Sequence, residues 1–127
     1  MKRLSIYSAL LLALGFIFSG CYKDVILPDA VVDPDGPAQA VSYSKDLAPL
    51  FAASCAKAGC HVNGDHKPYL SIDVSYIQIV NNGFVNTVIP KQSKLYNAIN
   101  GGMKEYIPSA TDRQKVYDWI RNGAPNN

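Results

Sequence analysis

The stretch "CAKAGCHVNGDH", residues 55–66, concentrates the potential ligands of this chain. Three cysteines and two histidines occur in the 127 residues, and this stretch holds Cys55, Cys60, His61 and His66. Thiolate and imidazole side chains bind transition metals and metal-containing cofactors. We therefore expect residues 55–66 to form the functional site, and the sequence on either side to fold around it.

A helix is predicted immediately before this stretch. Ser44 is a good N-cap, and the positions that follow place Leu47, Leu50 and Phe51 on one face at spacings of three and four. The segment 42–125 is short, and a hydrophobic core alone seldom gives a domain of that size much stability. A disulfide, a metal or a cofactor is therefore expected to contribute to the stability of the domain.

Three further helices are predicted after the stretch. Two of them cover residues 74–81, closing at Gly83, and residues 93–100, before Gly101. The last begins at Thr111, which forms a capping box with the glutamine three residues on. Its apolar stripe consists of Val116, Trp119 and Ile120. Because strand signals are almost absent, the sequence predicts an all-α domain of three or four short helices joined by long loops.

A covalently attached haem would fill the space that such long loops enclose. In c-type attachment two thiols form thioethers with the haem vinyl groups, and the histidine directly after the second thiol binds the iron. The sequence "CAKAGCH" offers Cys55, Cys60 and His61 in that order, with four residues between the cysteines instead of two. The spacer must bulge outward, and Gly59 makes such a bulge easier.

These residues make the domain resemble class I cytochrome c. It is similar, more narrowly, to the small haem-binding domains found in lipoproteins of Bacteroidetes-type bacteria, and its longer cysteine spacing is similar to that in multihaem cytochromes of sulfate reducers. The resemblance covers nearly all of residues 42–127. It implies three to four short helices wrapped around the haem, with an N-terminal helix crossing a C-terminal one. The residues expected to meet at that crossing are Leu47, Leu50, Phe51, Val116, Trp119 and Ile120.

The resemblance also implies a set of ligands and an activity. One haem c would be attached to Cys55 and Cys60, with His61 and Met103 as the axial ligands of its iron. Met103 follows two glycines, as expected for the loop of the distal ligand, but the next proline, Pro108, lies five residues on instead of adjacent. The implied function is electron transfer by a carrier that is not itself an enzyme, although it could serve as the redox partner of one.

Other interpretations of the same residues stay open at this point. Met103 could fill a gap in the core, and His66 could replace it as distal ligand or face solvent. Cys55 and Cys60 could form a disulfide in a structural or interaction lipoprotein without haem, because an exported domain meets an oxidising compartment. A metal module built from both cysteines, His61 and His66 is a further alternative, although its spacing misses the usual zinc pattern.

The N-terminus predicts export. The sequence "MKRLSIYSALLLALGFIFSGC" has a basic start, an apolar run and small residues before Cys21, as in a secretory signal. It resembles bacterial lipoproteins, which implies cleavage before Cys21 and lipid attachment to it. We thus predict a signal peptide at residues 1–20, a lipidated tether at 21–41 and the cytochrome-like domain at 42–127. The resemblance implies an outer-membrane lipoprotein that faces the periplasm or the cell surface.

The tether and the net charge restrict the kinds of partner that we expect. Residues 22–41 are rich in proline and acidic residues, and fully extended they would reach up to ~65 Å. Removing the signal peptide takes away Lys2 and Arg3, which leaves equal numbers of basic and acidic residues in the mature protein. We therefore expect no nucleic-acid binding, and we expect the partners to be membrane-associated redox proteins.

Overall fold

The computed structural model describes residues 32–127, which form four α-helices with no strand in that range. The helices are α1 (Ala48–Ser54), α2 (Ser75–Asn81), α3 (Lys94–Asn100) and α4 (Ala110–Arg121). Short helical turns, which are Tyr43–Leu47 (π), Pro90–Gln92 (3₁₀) and Lys104–Tyr106 (3₁₀), lie between or before them. The all-α prediction is confirmed for this part of the chain. The predicted signal peptide, Cys21 and the tether up to residue 31 lie outside the described residues.

The first helical segment begins two residues earlier than predicted. Its N-cap is Ser42, whose hydroxyl accepts a hydrogen bond from the Lys45 amide at 3.3 Å. Ser44, the predicted cap, instead donates its amide to the carbonyl of Asn127 at 2.8 Å. The prediction of Ser44 as the N-cap was wrong. Its partner, Asn127, lies at the far end of the chain, so no local sequence pattern could indicate this hydrogen bond. Pro49 lies in the first turn of α1, where a proline is tolerated.

The later helices follow the predictions more closely. The predicted helices over residues 74–81 and 93–100 are confirmed as α2 and α3, and Gly83 adopts a φ of +70° after α2. Helix α4 begins at Ala110, and its N-cap is Ser109 rather than Thr111, because the Ser109 hydroxyl accepts from the Asp112 amide at 3.2 Å. The sequence "SATD" thus provides an N-cap two residues before the predicted one.

An aromatic cluster joins the N-terminal and C-terminal helical segments. The Tyr43 ring lies 5.1 Å, centroid to centroid, from both Tyr76 and Trp119. Burial raises the pKa of Tyr43 to about 12, so its hydroxyl stays protonated and donates to the Ser75 hydroxyl at 2.8 Å. Of the residues predicted to meet at the helix crossing, only Leu50 is less than fully buried. The turn before α1 therefore packs against α4 in the core, whereas the crossing of α1 itself with α4 stays a prediction.

The packed domain extends N-terminally of its predicted start. Residues 34–41, here called the strap, lie along α4 instead of standing free. The Asp118 side chain is 1% exposed, and its carboxylate accepts from the Gln39 amide at 3.2 Å and from Arg121 at the same distance. Arg121 also donates to the Gly36 carbonyl at 2.7 Å. These bonds attach the second half of the predicted tether to the domain.

No helix within residues 32–127 is long and apolar enough to cross a membrane.

The observed cap of α4 predicts how stability depends on two neighbouring hydroxyls. Replacing Ser109 by Ala should lower the free energy of unfolding by about 1 kcal/mol, because the Asp112 amide loses its acceptor at the helix start. The matched control is Thr111→Ala, an exposed position inside the first turn, which should change it by less than about 0.5 kcal/mol. Urea unfolding of both variants followed by circular dichroism measures this. A larger loss for Thr111→Ala would contradict Ser109 as the cap.

Candidate functional site

The cysteine-containing loop begins where α1 ends. Cys55 is the C-cap of α1, and its carbonyl accepts two hydrogen bonds, from the Lys57 amide at 2.9 Å and from the His61 amide at 3.1 Å. The Cys60 amide donates to the Lys57 carbonyl at 2.9 Å. Because the backbone of His61 returns to that of Cys55, the four-residue spacer folds outward. The two cysteines and the histidine are thereby brought to one end of α1.

Gly59 provides the backbone conformation that closes this loop. Its φ is +77°, in the left-handed region that glycine enters without strain. Its amide donates to a carboxylate oxygen of Asp65 at 2.8 Å, which joins the spacer to the following turn. No atom lies within 4 Å of the position that a Cβ would take, so the conformation rather than space favours glycine. This agrees with the role predicted for Gly59.

Both thiols of the loop are free and half-buried. Burial raises the pKa of the Cys55 thiol, and the charge of Cys60 raises it further, while Lys57 lowers it. Cys55 is accordingly protonated at neutral pH. The loop is held closed by its backbone hydrogen bonds, with no bond between the sulfurs.

The orientation of the His61 ring is fixed through one nitrogen. Its Nδ1 lies 3.0 Å from the carbonyl oxygen of Pro68 and 3.2 Å from that of His66. A carbonyl oxygen only accepts hydrogen bonds, so in the neutral ring Nδ1 carries the proton and Nε2 keeps its lone pair. The backbone around the ring is held in turn, because the Leu70 amide donates to the His61 carbonyl at 2.7 Å. The site therefore presents Nε2 as a ready ligand for a metal.

Met103 lies in another part of the chain, in the loop between α3 and α4. It follows α3, and its amide donates to the Ala98 carbonyl at 2.8 Å. Its side chain is 42% exposed, and that of Tyr106, at the end of the following 3₁₀ turn, is 46% exposed. A hydrogen bond to Glu105 is the main cause that raises the pKa of Tyr106, and the charge of Cys60 adds to it.

The structure thus brings together most of the residues that the sequence singled out. Cys55, Cys60 and His61 converge in one loop, whereas the side chain of His66 is exposed and this residue contributes its backbone carbonyl. Within residues 32–127, no group of three or more His, Cys, Asp or Glu side chains is arranged to hold a metal ion. The four-ligand metal module considered from the sequence is therefore not formed in the described part of the chain.

Sequence reasoning missed two groups that shape the site. The Pro68 carbonyl orients His61, but a backbone acceptor leaves no side-chain signal that a sequence could show. Asp65 closes the spacer through the Gly59 amide. Its position inside a polar turn was visible, since short acidic side chains often bond to nearby backbone amides. Its particular partner was not.

Comparisons with known proteins give no match: no protein-family model matches the chain, and no curated protein and no solved structure is similar to it. The function must therefore be inferred from the site itself. The relevant features are the two thiols, the oriented imidazole and the methionine that follows α3.

The conformation of Gly59 predicts a graded cost of substitution. Gly59→Ala should lower the free energy of unfolding by about 1–2 kcal/mol, because a Cβ disfavours a positive φ. Gly59→Asn should cost less, since asparagine tolerates this region better. The control is Gly102→Ala, where the space is also open and no positive φ is required. Urea unfolding ranks the three variants, and equal losses for Gly59→Ala and Gly102→Ala would contradict the prediction.

Proposed function

We propose that the protein is a membrane-anchored c-type cytochrome, which carries single electrons through one covalent haem c. The observation that carries the proposal is the state of His61. It follows directly on the second of two thiols joined in one loop, and its Nδ1 is committed to carbonyl oxygens. Its Nε2 is therefore left to bind iron. A metal-binding histidine typically donates its other ring nitrogen in this way.

The residues present fit a covalent haem. Cys55 and Cys60 would provide the two thioether sulfurs, since both thiols are free and lie at the same end of α1. His61 would bind the iron from one side through Nε2. Met103 would provide the second ligand of the iron through its sulfur, because its side chain is exposed in the loop that connects α3 to α4.

Bound haem would supply reversible one-electron oxidation and reduction of its iron. The chain's own residues determine the rest of the behaviour. The Pro68 carbonyl keeps the His61 ring in one orientation and makes Nε2 a stronger donor. A sulfur ligand from Met103 raises the reduction potential relative to a second histidine. Because His61 and Met103 would occupy both axial positions, no position stays open for a substrate. These features favour an electron carrier over an enzyme.

The exposed apolar side chains are consistent with this proposal. Several large apolar side chains are exposed in the described part of the chain. Met103 and Tyr106 are two of them, and Ile72, which is 64% exposed, follows the segment that holds His61. A haem seated against the cysteine loop would cover apolar surface of this kind. It would also supplement the small core of the domain.

The proposed location follows from Cys21, which lies outside the described residues. A lipid on this cysteine would hold the domain at a membrane surface, most simply the outer membrane, facing the periplasm or the cell exterior. The electron donors and acceptors would then be membrane-associated redox proteins. Confinement to the same surface raises the effective concentration of such partners.

The first test is whether the protein carries haem that cannot be extracted. The full chain, made in a host with haem-attachment machinery, should keep its haem through acid-acetone extraction and give a c-type pyridine haemochrome spectrum. Cys55→Ser and Cys60→Ser should each remove one thioether and shift this spectrum towards that of non-covalent haem. Cys21→Ser, the matched control, should leave it unchanged. A colourless protein without free thiols at Cys55 and Cys60 would overturn the proposal in favour of the disulfide-bonded structural lipoprotein.

A second test concerns the distal ligand. The oxidised protein should show the near-infrared absorption that arises from a methionine sulfur bound to ferric haem. Met103→Ala should abolish this absorption while leaving the haem covalently attached, because the sulfur is removed but both cysteines remain. His66→Ala is the control and should retain the band. Absence of the band from the unmodified protein, or its loss in His66→Ala, would refute Met103 as the ligand.

A further inference from the structure

One arginine holds both ends of the segment that contains Met103. Residues 101–108, here called the Met103 loop, connect α3 to α4. From the first turn of α4, the Nε of Arg113 donates to the side-chain oxygen of Asn100 at 3.2 Å. Its Nη1 donates to the carbonyl of Ile107 at 2.6 Å and also to that of Pro108. A single rigid side chain therefore joins the residue before the loop to the last two residues of the loop.

The partners of Arg113 are themselves fixed. The side-chain nitrogen Nδ2 of Asn100 donates to the Tyr96 carbonyl at 2.9 Å, which turns the side-chain oxygen Oδ1 towards the guanidinium. Ile107 is 2% exposed and anchors the other end of the loop in the core. Between these two anchors, residues 101–106 are all exposed. The guanidinium of Arg113 thus limits the distance between Asn100 and Ile107, which are the two anchored ends of the exposed segment 101–106.

We propose that Arg113 is a positioning residue, which keeps the Met103 loop closed so that the Met103 sulfur stays at the iron. This inference rests on the proposed function. An exposed loop that can open loses its ligand more easily, because the open loop gains conformational freedom. Arg113 restricts that freedom at the base of the loop, without touching Met103 or the cofactor. Its planar fork of donors suits three acceptors at once, which a lysine cannot match.

Helix α4 also offers a matched control. Arg121 makes comparable bonds from the same helix, to the carbonyls of Pro34 at 3.3 Å and Gly36 at 2.7 Å. It holds the strap rather than the Met103 loop. Substituting Arg121 therefore measures the general cost of losing an arginine that fastens a segment to α4. Substituting Arg113 measures that cost together with any effect on the methionine ligand.

The experiment follows the near-infrared sulfur-to-iron absorption of the ferric, full-length holoprotein as the pH is raised. In Arg113→Ala the band should disappear at a pH at least about one unit lower than in the unmodified protein, since a tenfold easier opening of the loop shifts the midpoint by that amount. Added imidazole should displace Met103 at least about tenfold faster for the same reason. Arg113→Lys should restore this behaviour only in part, and Arg121→Ala should match the unmodified protein.

A second variant keeps the test decisive if Arg113→Ala folds poorly. Asn100→Ala removes the partner at one end only, at an exposed position, and should give a midpoint between those of Arg113→Ala and the unmodified protein. Hydrogen exchange of the Met103 and Tyr106 amides should accelerate in both variants. An unchanged midpoint and unchanged imidazole rate in Arg113→Ala, with haem attached, would overturn the role of Arg113 alone. An unmodified protein without covalent haem would instead overturn the proposed function, and this inference with it.

Discussion

The Cys55 carbonyl is the acceptor on which the arrangement of the site depends. It receives the amides of Lys57 and His61, and so turns the end of α1 into a closed loop instead of a continuing helix. The four-residue spacer therefore returns to its starting point, and the longer cysteine spacing does not move His61 away from the end of α1. Gly59 makes the return possible by adopting a conformation that other residues enter at a cost. The order of thiol, thiol and imidazole in the sequence thereby becomes proximity in space.

The rest of the domain holds this loop from a distance. The aromatic cluster around Tyr43 joins the turn before α1 to α4, and Asn127 accepts the amides of both Tyr43 and Ser44. Contacts between residues so far apart in sequence fix the start of α1, and therefore the position from which the cysteine loop emerges. On the other side, α4 fastens the Met103 loop through Arg113. The same helix thus restrains both segments that the proposed haem site uses, and links the stability of the fold to the geometry of the site.

Much of this could be predicted from the sequence because it depends on local patterns. Apolar spacing identified the helices, glycines marked the ends of α2 and α3, and the order of Cys55, Cys60 and His61 defined the candidate site. The wrong predictions concerned helix N-caps. Several serines or threonines could act as the cap there, and distant partners such as Asn127 influence which one does. The carbonyl of Pro68 and the role of Arg113 were invisible for another reason. A backbone acceptor has no residue type, and an arginine on a helix surface gives no sign of which carbonyls it reaches.

The attachment of the strap to α4 shortens the predicted tether between Cys21 and the folded domain. With residues 34–41 attached to Asp118 and Arg121, the proposed anchor at Cys21 would be separated from the folded domain by residues 22–33 alone. Their greatest extension is ~40 Å, against ~65 Å for the whole predicted tether. Because the volume that a tethered domain can reach grows with the cube of the tether length, the domain would search a volume roughly four times smaller than with the whole predicted tether. The electron carrier proposed here would therefore exchange electrons with partners that lie close to the membrane.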